Sequence, residues 1–460
     1  MTHLFSRRAF LVGAAAPWLM SAAEPGLKYR AKIRAAFVRR RGPYGMRWPG
    51  EVYDGEAARA KYTAALNASA AKLKLDLALR AEPVYSAEEA GAWLAEAKAS
   101  KPDGLLVILL DRQEHSWPTA TMAADTRIPT VVFAPVGASF TTNTAPLAKR
   151  EGVFIASTSD FEQAAFGLKM LRTGAWLREM RFVVLRGSER KDGYLPPFGA
   201  KLRYVPAKEF LEEYERTPVS DEVKRLARGL IKGATRMQGT TEQDVINGIK
   251  SYVVARTILQ REEADGITMD CLGALGKSKV SLPCISWATM LDHGIPAACE
   301  ADLNACATHA LVQYLFEKPG FQQDPVAETA RGCLIGAHCT CPTRLAGFDK
   351  PPEPYFLSFH HGKRDAVPVP RWKIGQRVTV AELVVGSAKK KAQMIASAGK
   401  VVENISVPPA GGCVVSVMVE IDGVKELLDY PGFHQIFFYG DHKRDLASFA
   451  QLYGIEKVLV

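Results

Sequence analysis

Apolar and polar positions along the chain follow two periods in turn, and this pattern predicts strands alternating with helices. Continuous apolar runs at 105–110, 130–134 and 153–156 are typical of strands covered on both faces. Helical spacing marks the alanine-rich stretch 55–73 and a segment that opens at Ser86. This order of elements predicts a parallel, doubly wound sheet in the first third of the chain.

A second set of α/β elements begins near Asp160. Helices are predicted at 221–231 and 241–263, the latter capped by Thr240 or Thr241, and a short strand then ends at Asp270. These elements predict a second doubly wound domain.

From Gly332 onward the pattern changes to β. Alternating segments indicate a small antiparallel barrel or sandwich; they lie at 333–341, 376–385, 400–402 and 413–420. The predicted fold class is therefore α/β, with two doubly wound α/β domains followed by a β-rich, barrel-like C-terminal domain. The predicted domains span 28–158, 159–328 and 329–460.

The first residues carry a targeting pattern. Ser6-Arg7-Arg8 resembles the twin-arginine export motif, an apolar stretch follows at 10–20, and Ser21-Ala22-Ala23 offers a small-residue cleavage site. We expect 1–23 to be a signal peptide and the mature protein to be periplasmic or secreted. No later run is apolar enough to span a bilayer, so no membrane contact is expected after cleavage.

Composition adds two constraints. The chain is 47% hydrophobic and 23% charged with a formal net charge of +10, but it lacks the aromatic-interleaved basic array of a nucleic-acid binder, so nucleic acid is not expected as a partner. Seven of the eight cysteines fall within 271–341, several of them in apolar runs. This favours buried, reduced thiols, with a disulfide as the alternative open to an exported protein.

The segment 294–309 carries the first candidate chemistry. Glu300 and Asp302 alternate with alanine and cysteine, an unusual setting for a solvated face. If the segment is extended, both carboxylates point to one side and call for a cation. The alternative is that both are exposed residues at the N-terminus of the following helix, favoured by its dipole.

Three further positions are candidates. Asp270 ends a predicted parallel strand, where ligands bind in open α/β sheets, although a helix-capping role is the alternative. The stretch from His338 to Cys341 invites a zinc interpretation, but its Cys-x-Cys spacing is narrower than that of common structural sites. His434 begins an aromatic strand and is either a site residue or a satisfied core histidine.

These residues resemble a known family. The segment Gly294-Ile-Pro-Ala-Ala-Cys-Glu-Ala-Asp302 is similar to the acid-bearing segment of the L-fucose isomerase and L-arabinose isomerase superfamily. The strand at 337–340 resembles the family's His-Cys strand. Phe433-His434, with the turn at 439–442 and the helix after it, resembles the C-terminal histidine segment. The matches occur in the family's order over roughly 240–460.

The resemblance implies a divalent cation, usually manganese, with magnesium as a further possibility. Asp302 and His434 match metal ligands, and Asp270 stands where the family has a glutamate one methylene longer. Asp270 and Asp302 are the predicted catalytic acids, and both are predicted to bind the metal with His434. His338 matches a histidine that binds metal in one branch of the family; we expect it to contact the sugar here, together with two further residues, Glu300 and His442.

The implied reaction is aldose–ketose isomerisation through an enediol, which needs a base, an acid and a cation that holds two oxygens. The alternative is a periplasmic carbohydrate-binding protein that keeps the pocket without turnover. The resemblance also implies a homo-oligomer, a trimer or hexamer, and a small sugar as the partner.

Overall fold

The computed structural model describes residues 28–46, 53–112, 115–360, 364–405, 413–424 and 426–460. The predicted signal peptide lies outside these ranges. The chain forms two compact units, one of 29–176 with 447–456, the other of 177–446 with 457–460. None of the helices in the described part of the chain is long and apolar enough to cross a membrane.

The first unit holds a parallel sheet of order β4-β1-β5-β6-β7. Its strands and helices are β1 (Lys32–Val38), β2 (Gly45–Met46), β3 (Tyr53–Asp54), α1 (Gly55–Leu73), β4 (Asp76–Leu79), α2 (Ala87–Ala99), β5 (Gly104–Leu109), α3 (Ser116–Asp125), β6 (Thr130–Ala134), α4 (Thr141–Ala148), β7 (Val153–Ser157) and α5 (Glu162–Glu179). Every residue of β5 and β6 is buried, as the unbroken apolar runs predict for strands covered on both faces.

The second unit begins with a mixed sheet of order β12-β11-β8-β10-β9, parallel except for the β9–β10 pair. Its elements are β8 (Arg181–Leu185), β9 (Lys191–Leu195), β10 (Ala200–Val205), α6 (Ala207–Arg216), α7 (Asp221–Gly233), α8 (Glu242–Arg261), β11 (Gly266–Met269), α9 (Cys271–Leu275), α10 (Cys284–Asp292), β12 (Ala297–Cys299) and α11 (Leu303–Phe316). Thr241 caps α8 in a reciprocal capping box with Asp244, as its position predicts.

The C-terminal part is a closed barrel of six antiparallel strands in the order β17-β20-β13-β14-β19-β18, closed by pairing of β17 with β18. Its elements are β13 (Phe321–Glu328), β14 (Cys333–His338), the hairpin β15 (Tyr355–His360) and β16 (Arg364–Pro370), β17 (Arg377–Val384), β18 (Gln393–Asn404), β19 (Val415–Ile421), β20 (Gln435–Tyr439), α12 (Lys443–Leu452) and β21 (Glu456–Leu459).

The fold is therefore mixed α/β, with parallel-strand sheets in the N-terminal part and a barrel at the C-terminus. The β pattern begins earlier than Gly332, because β13 already belongs to the barrel. One apolar core runs from the second sheet into the barrel and includes Ile267, Trp287, Phe321 and Phe437, all buried. This shared core fixes the carboxyl edge of the sheet against one end of the barrel.

Candidate metal centre

Six ionisable side chains meet where the second sheet and the barrel share their core. We call them the acid–histidine cluster: Asp270, Glu300, Asp302, Asp324, His338 and His434. Three of them come from the sheet edge and three from the barrel, so neither part builds the cluster alone.

The sheet contributes two of its acids through strand register. Strands β11 and β12 are parallel neighbours, and Met269 pairs with Cys299 at their carboxyl ends. The next residues are Asp270 and Glu300, so both acids leave the sheet at the same edge, the edge at which parallel sheets bind ligands. Asp270 thus follows a parallel strand as the sequence predicted, and its role as a ligand stays a prediction.

A tight turn then redirects the chain. Glu300 and Ala301 both have left-handed backbones, with φ of 61° and 54°. Such a conformation costs non-glycine residues about 1–3 kcal/mol each and is concentrated at functional sites. The condition that 300–302 is extended is therefore not met, and Asp302 instead stands at the N-terminus of the following helix, as the alternative had it. The turn, held by a hydrogen bond from the Ala301 N–H to the Met269 carbonyl at 2.9 Å, decides where the two acids point.

The barrel supplies the other three residues from three adjacent strands. Strand β13 pairs with β14 on one side, where Asp324 lies opposite Ala337, the neighbour of His338. It pairs with β20 on the other side, where Gln323 lies opposite Gln435, the neighbour of His434. The register thus gathers one acid and two histidines at the same end of the barrel.

Distances within the cluster define a ligand group. His434 Nε2 lies 3.1 Å from Asp324 Oδ1 and 3.5 Å from Glu300 Oε2, and His338 Nε2 lies 3.9 Å from Glu300 Oε1. Ligand atoms of Glu300, His338 and His434 all lie within 4.8 Å of one another. One carboxylate and two imidazoles at this spacing could hold a metal ion.

Asp302 fixes the ring of His434. Its Oδ2 lies 2.7 Å from His434 Nδ1, and since an ionised carboxylate only accepts hydrogen bonds, Nδ1 is the donor. Its Oδ1 accepts from the Ala305 N–H at 2.8 Å and so caps α11. Nε2 therefore faces the other acids. A carboxylate behind the imidazole is the usual support of a metal-binding histidine.

Protonation follows from this crowding of acids. Burial works against a charged His434, but hydrogen bonds and charges from Asp302 and Asp324 outweigh it and raise its pKa to about 10. Burial raises the pKa of Glu300, and the charges of Asp324, Asp302 and Asp270 raise it further, against the lowering effect of His434. Without metal, the proton on His434 is the counter-charge of the acids.

His338 differs from His434. Burial lowers its pKa to about 4, so its ring is neutral near pH 7. Its Nδ1 is buried without a hydrogen-bond partner among the described residues, while Nε2 faces Glu300. A neutral imidazole whose Nε2 points at an acid is already in the state that a metal requires.

A buried glutamate holds the loop before β20. Glu382 accepts hydrogen bonds from the Phe433 N–H and from Asn304 Nδ2, both at 3.0 Å. Gly432, with φ of 87°, makes this possible, because a Cβ there would lie 2.4 Å from the Glu382 carboxylate. Glu382 therefore links the segment that carries His434 to α11, which begins next to Asp302.

The structure does not bring every predicted site residue into the ligand group. Asp270 caps α9, accepting from the Gly273 N–H at 3.2 Å, and acts on the cluster through its charge on Glu300. His442 lies beyond the far end of β20 from His434, with Nδ1 3.0 Å from Asp445 Oδ2 and its ring near Phe316. The structure thus brings four of the six predicted residues into contact, places Asp270 in its alternative role as a helix cap, and leaves His442 apart.

Two residues of the site are missed by the sequence reasoning. Asp324 follows Gln322 and Gln323 at the start of β13, and three successive polar residues in a strand are a signal that could have marked it. Glu382 lies inside the apolar run of β17, where a buried acid is equally unusual.

The cysteines do not join the ligand group in the described part of the chain. All eight are free, and all but Cys413 are buried, as predicted for reduced thiols. Cys341 Sγ lies 3.5 Å from the Pro342 carbonyl rather than beside a second ligand pair. The alternative of a structural zinc site at 338–341 therefore gains no support.

Comparison with known proteins adds no family to this geometry. No protein-family model matches the sequence, and a comparison with curated proteins gives no match either. The resemblance to sugar isomerases rests on the quoted residues alone, and function must be argued from the cluster.

Proposed function

We propose that the protein is an exported, metal-dependent enzyme of the aldose–ketose isomerase type that acts on a small sugar through an enediol. The observation that carries this proposal is the convergence of Glu300, His338 and His434, with Asp302 and Asp324 in direct contact with the same ring of His434. Export rests on the sequence pattern of 1–23.

The donor set fits a divalent transition metal. Glu300, His338 and His434 would hold it, and Asp324 Oδ1, which faces Nε2 of His434, is placed to join them. Two imidazoles beside carboxylates suit manganese better than magnesium, which favours oxygen ligands. When bound, such a cation would polarise the sugar oxygens and stabilise the negative charge that develops on the enediol.

Side chains of the cluster would orient the ligands and transfer the proton. Asp302 orients His434 and keeps Nε2 directed at the acids. Glu300 has a raised pKa and a partly exposed carboxylate, which suits a group that takes and returns a proton. Asp270 is the second acid at the same edge. Compared with the sequence-based assignment, Glu300 and Asp302 exchange roles.

A deuterium-exchange experiment tests the proposal. The protein is stripped of metal, reloaded with manganese and incubated in deuterated water with a panel of aldoses and ketoses. We expect deuterium to enter the carbon next to the carbonyl of at least one sugar, only with metal present, as followed by mass spectrometry. Glu300→Gln should abolish exchange, whereas Glu403→Gln, a surface glutamate paired with Arg331, should not.

Stoichiometric metal with no exchange across the panel would contradict the enzyme. It would favour a second candidate, a carbohydrate-binding protein without turnover. That candidate is supported by Asp270, which is one methylene shorter than the family's glutamate and is tied to the cap of α9. Two doubly wound domains, predicted from the alternation of strands and helices, and a trimer or hexamer, implied by the resemblance, remain part of the proposal.

A further inference from the structure

A cleft outside the acid–histidine cluster has a different character. It has a volume of about 140 Å³ and is bounded by the segment 236–238, the β15–β16 hairpin, the end of β18 and the start of β19. Arg236 and Arg371 line it, and the described lining residues include no aspartate or glutamate. Its charge is therefore opposite to that of the cluster.

Arg236 is held in place by neutral groups. Its guanidinium lies over the ring of Phe356, 4.4 Å from the centroid, and its Nη2 donates to Gln238 Oε1 at 3.2 Å. A guanidinium that stacks on an aromatic ring keeps the edge of its planar fork available for a ligand. The side chain is thus oriented without being neutralised.

The two arginines of the cleft contrast with other arginines of the barrel. Arg377 pairs with Asp422 and Asp441, and Arg331 pairs with Glu403. Among the described residues, no carboxylate forms an ion pair with Arg236 or Arg371. Both arginines are exposed, and two guanidinium groups without a carboxylate partner on one concave surface can bind an anion from outside the chain.

The remaining lining suits a small organic anion. Ser358 and Ser416 contribute hydroxyl groups, while Phe356 and Phe359 form apolar walls. The cleft also adjoins the cluster through the barrel. Val415, which lines it, lies directly opposite His338 in the β14–β19 pair, and side chains so placed are about 5 Å apart.

We propose that this cleft binds a small oxyanion, a phosphate or carboxylate group, through the guanidinium groups of Arg236 and Arg371. Both groups match the donor fork of arginine in two parallel hydrogen bonds. The proposal does not rest on the proposed function, because no residue of the acid–histidine cluster lines the cleft.

Calorimetric titration of the full-length protein tests the site with three probes: inorganic phosphate, glucose 6-phosphate and gluconate. We expect saturable binding of at least one probe, weakened about tenfold or more by Arg236→Ala and by Arg371→Ala, since each substitution removes charge-assisted hydrogen bonds. Arg228→Ala, which removes an exposed arginine of α7 outside the cleft, should bind as the wild type does.

The probes also separate the two sources of anion. Tightest binding of inorganic phosphate indicates a site for the free ion, and tighter binding of an organic probe indicates the charged end of a metabolite; both support the cleft. Arg236→Lys and Arg371→Lys keep the charge without the planar fork and should bind with intermediate affinity, which guards against a misfolded alanine variant.

Metal stripping distinguishes this site from the metal centre. Binding that survives stripping and the His434→Ala substitution locates the anion in the cleft, even if the proposed isomerase activity fails. Three results would overturn the proposal: no saturable binding of any probe, affinity unchanged by both alanine substitutions, or binding that disappears with the metal.

Discussion

Two groups of clustered acids in the same unit show opposite ways of handling charge. The acid–histidine cluster sets four carboxylates against two imidazoles, one of them neutral. The second group, here called the Glu262 network, consists of Glu262, Glu209, Arg190, Arg203 and Arg261. Glu262 is only 4% exposed, yet three arginines reach it at 3.0–3.1 Å.

The two groups differ in whether their charges are balanced by residues of the chain itself. In the Glu262 network every buried charge has its partner, so the network needs nothing further from outside the chain. In the acid–histidine cluster the acids outnumber the cations, His338 Nδ1 has no hydrogen-bond partner among the described residues, and two residues adopt left-handed backbones. A surplus of negative charge at this spacing could be balanced by a bound cation.

The largest expected effect is that of removing the imidazole of His434, which contacts several acids of the cluster. His434→Ala removes the nitrogen that faces Glu300 and Asp324, so metal-dependent exchange should fall by about 10²–10⁴-fold. Manganese binding, followed by electron paramagnetic resonance, should weaken in parallel. His442→Ala is the matched control and also tests the prediction that His442 contacts the sugar: it should leave metal binding unchanged, and a raised KM would support sugar contact.

Dependence on pH should distinguish the two groups. Because the folded pKa of His434 is about 10, against an ordinary value of 6.5, metal must displace its proton. Metal affinity should therefore rise about tenfold per pH unit, or about 100-fold from about pH 6 to 8. Titration in buffers of different ionisation enthalpy should show about one proton released. Affinity independent of pH would contradict the assignment of Nε2 as a ligand.

The raised pKa of His434 also determines how the stability of the metal-free protein changes with pH. His434 contributes stability fully below about pH 6.5, and that contribution is lost as pH rises toward 10. Glu262 behaves in the opposite way. Burial raises its pKa, but hydrogen bonds and charges of Arg190 and Arg261 outweigh this and lower it, so its contribution is present above its ordinary pKa and is lost at acid pH.

A smaller effect on metal affinity is expected from substitution of Asp302, which supports the ring of His434. Asp302→Ala removes the carboxylate that holds Nδ1 of His434, and loss of such support typically weakens metal affinity about 10–100-fold. Asp302→Asn keeps an acceptor that can still cap α11, so its metal affinity should lie between those of the wild type and Asp302→Ala. Equal loss for Asp302→Ala and His434→Ala would instead show that Asp302 binds the metal itself, as predicted from the sequence.

The smallest effect is expected in the paired network. Glu262→Gln leaves three partly exposed arginines without their shared acid, and it should lower the free energy of unfolding by about 1–3 kcal/mol. Manganese affinity should not change. Urea denaturation of the metal-free protein measures the loss, and a change in metal binding would show that the two groups are coupled.

Local structure was readily predicted from sequence. The helix α1 has the predicted bounds, and the cap of α8 at Thr241 and the buried run of β5 lie where the pattern placed them. These features depend on residues a few positions apart. The small antiparallel barrel was one of two predicted options, because strand alternation alone does not show whether the last strand closes on the first.

The site was predicted only in part, because its residues are far apart in the sequence. Asp302 and His434 are 132 residues apart, and the barrel register that places Asp324 beside them involves three strands from different parts of the chain. Similarly, the left-handed turn at Glu300 and Ala301 could not be predicted from the sequence, because glutamate and alanine rarely adopt a positive φ.

The sequence by itself therefore determined which elements form and which acids and histidines are available at their ends, because periodicity, capping and strand termini are local properties. Only the tertiary structure decided which of those groups meet. It joined the sheet edge to the barrel, added Asp324, left His442 apart and turned Asp302 toward His434, because strand pairing and core packing set distances between residues far apart in the chain.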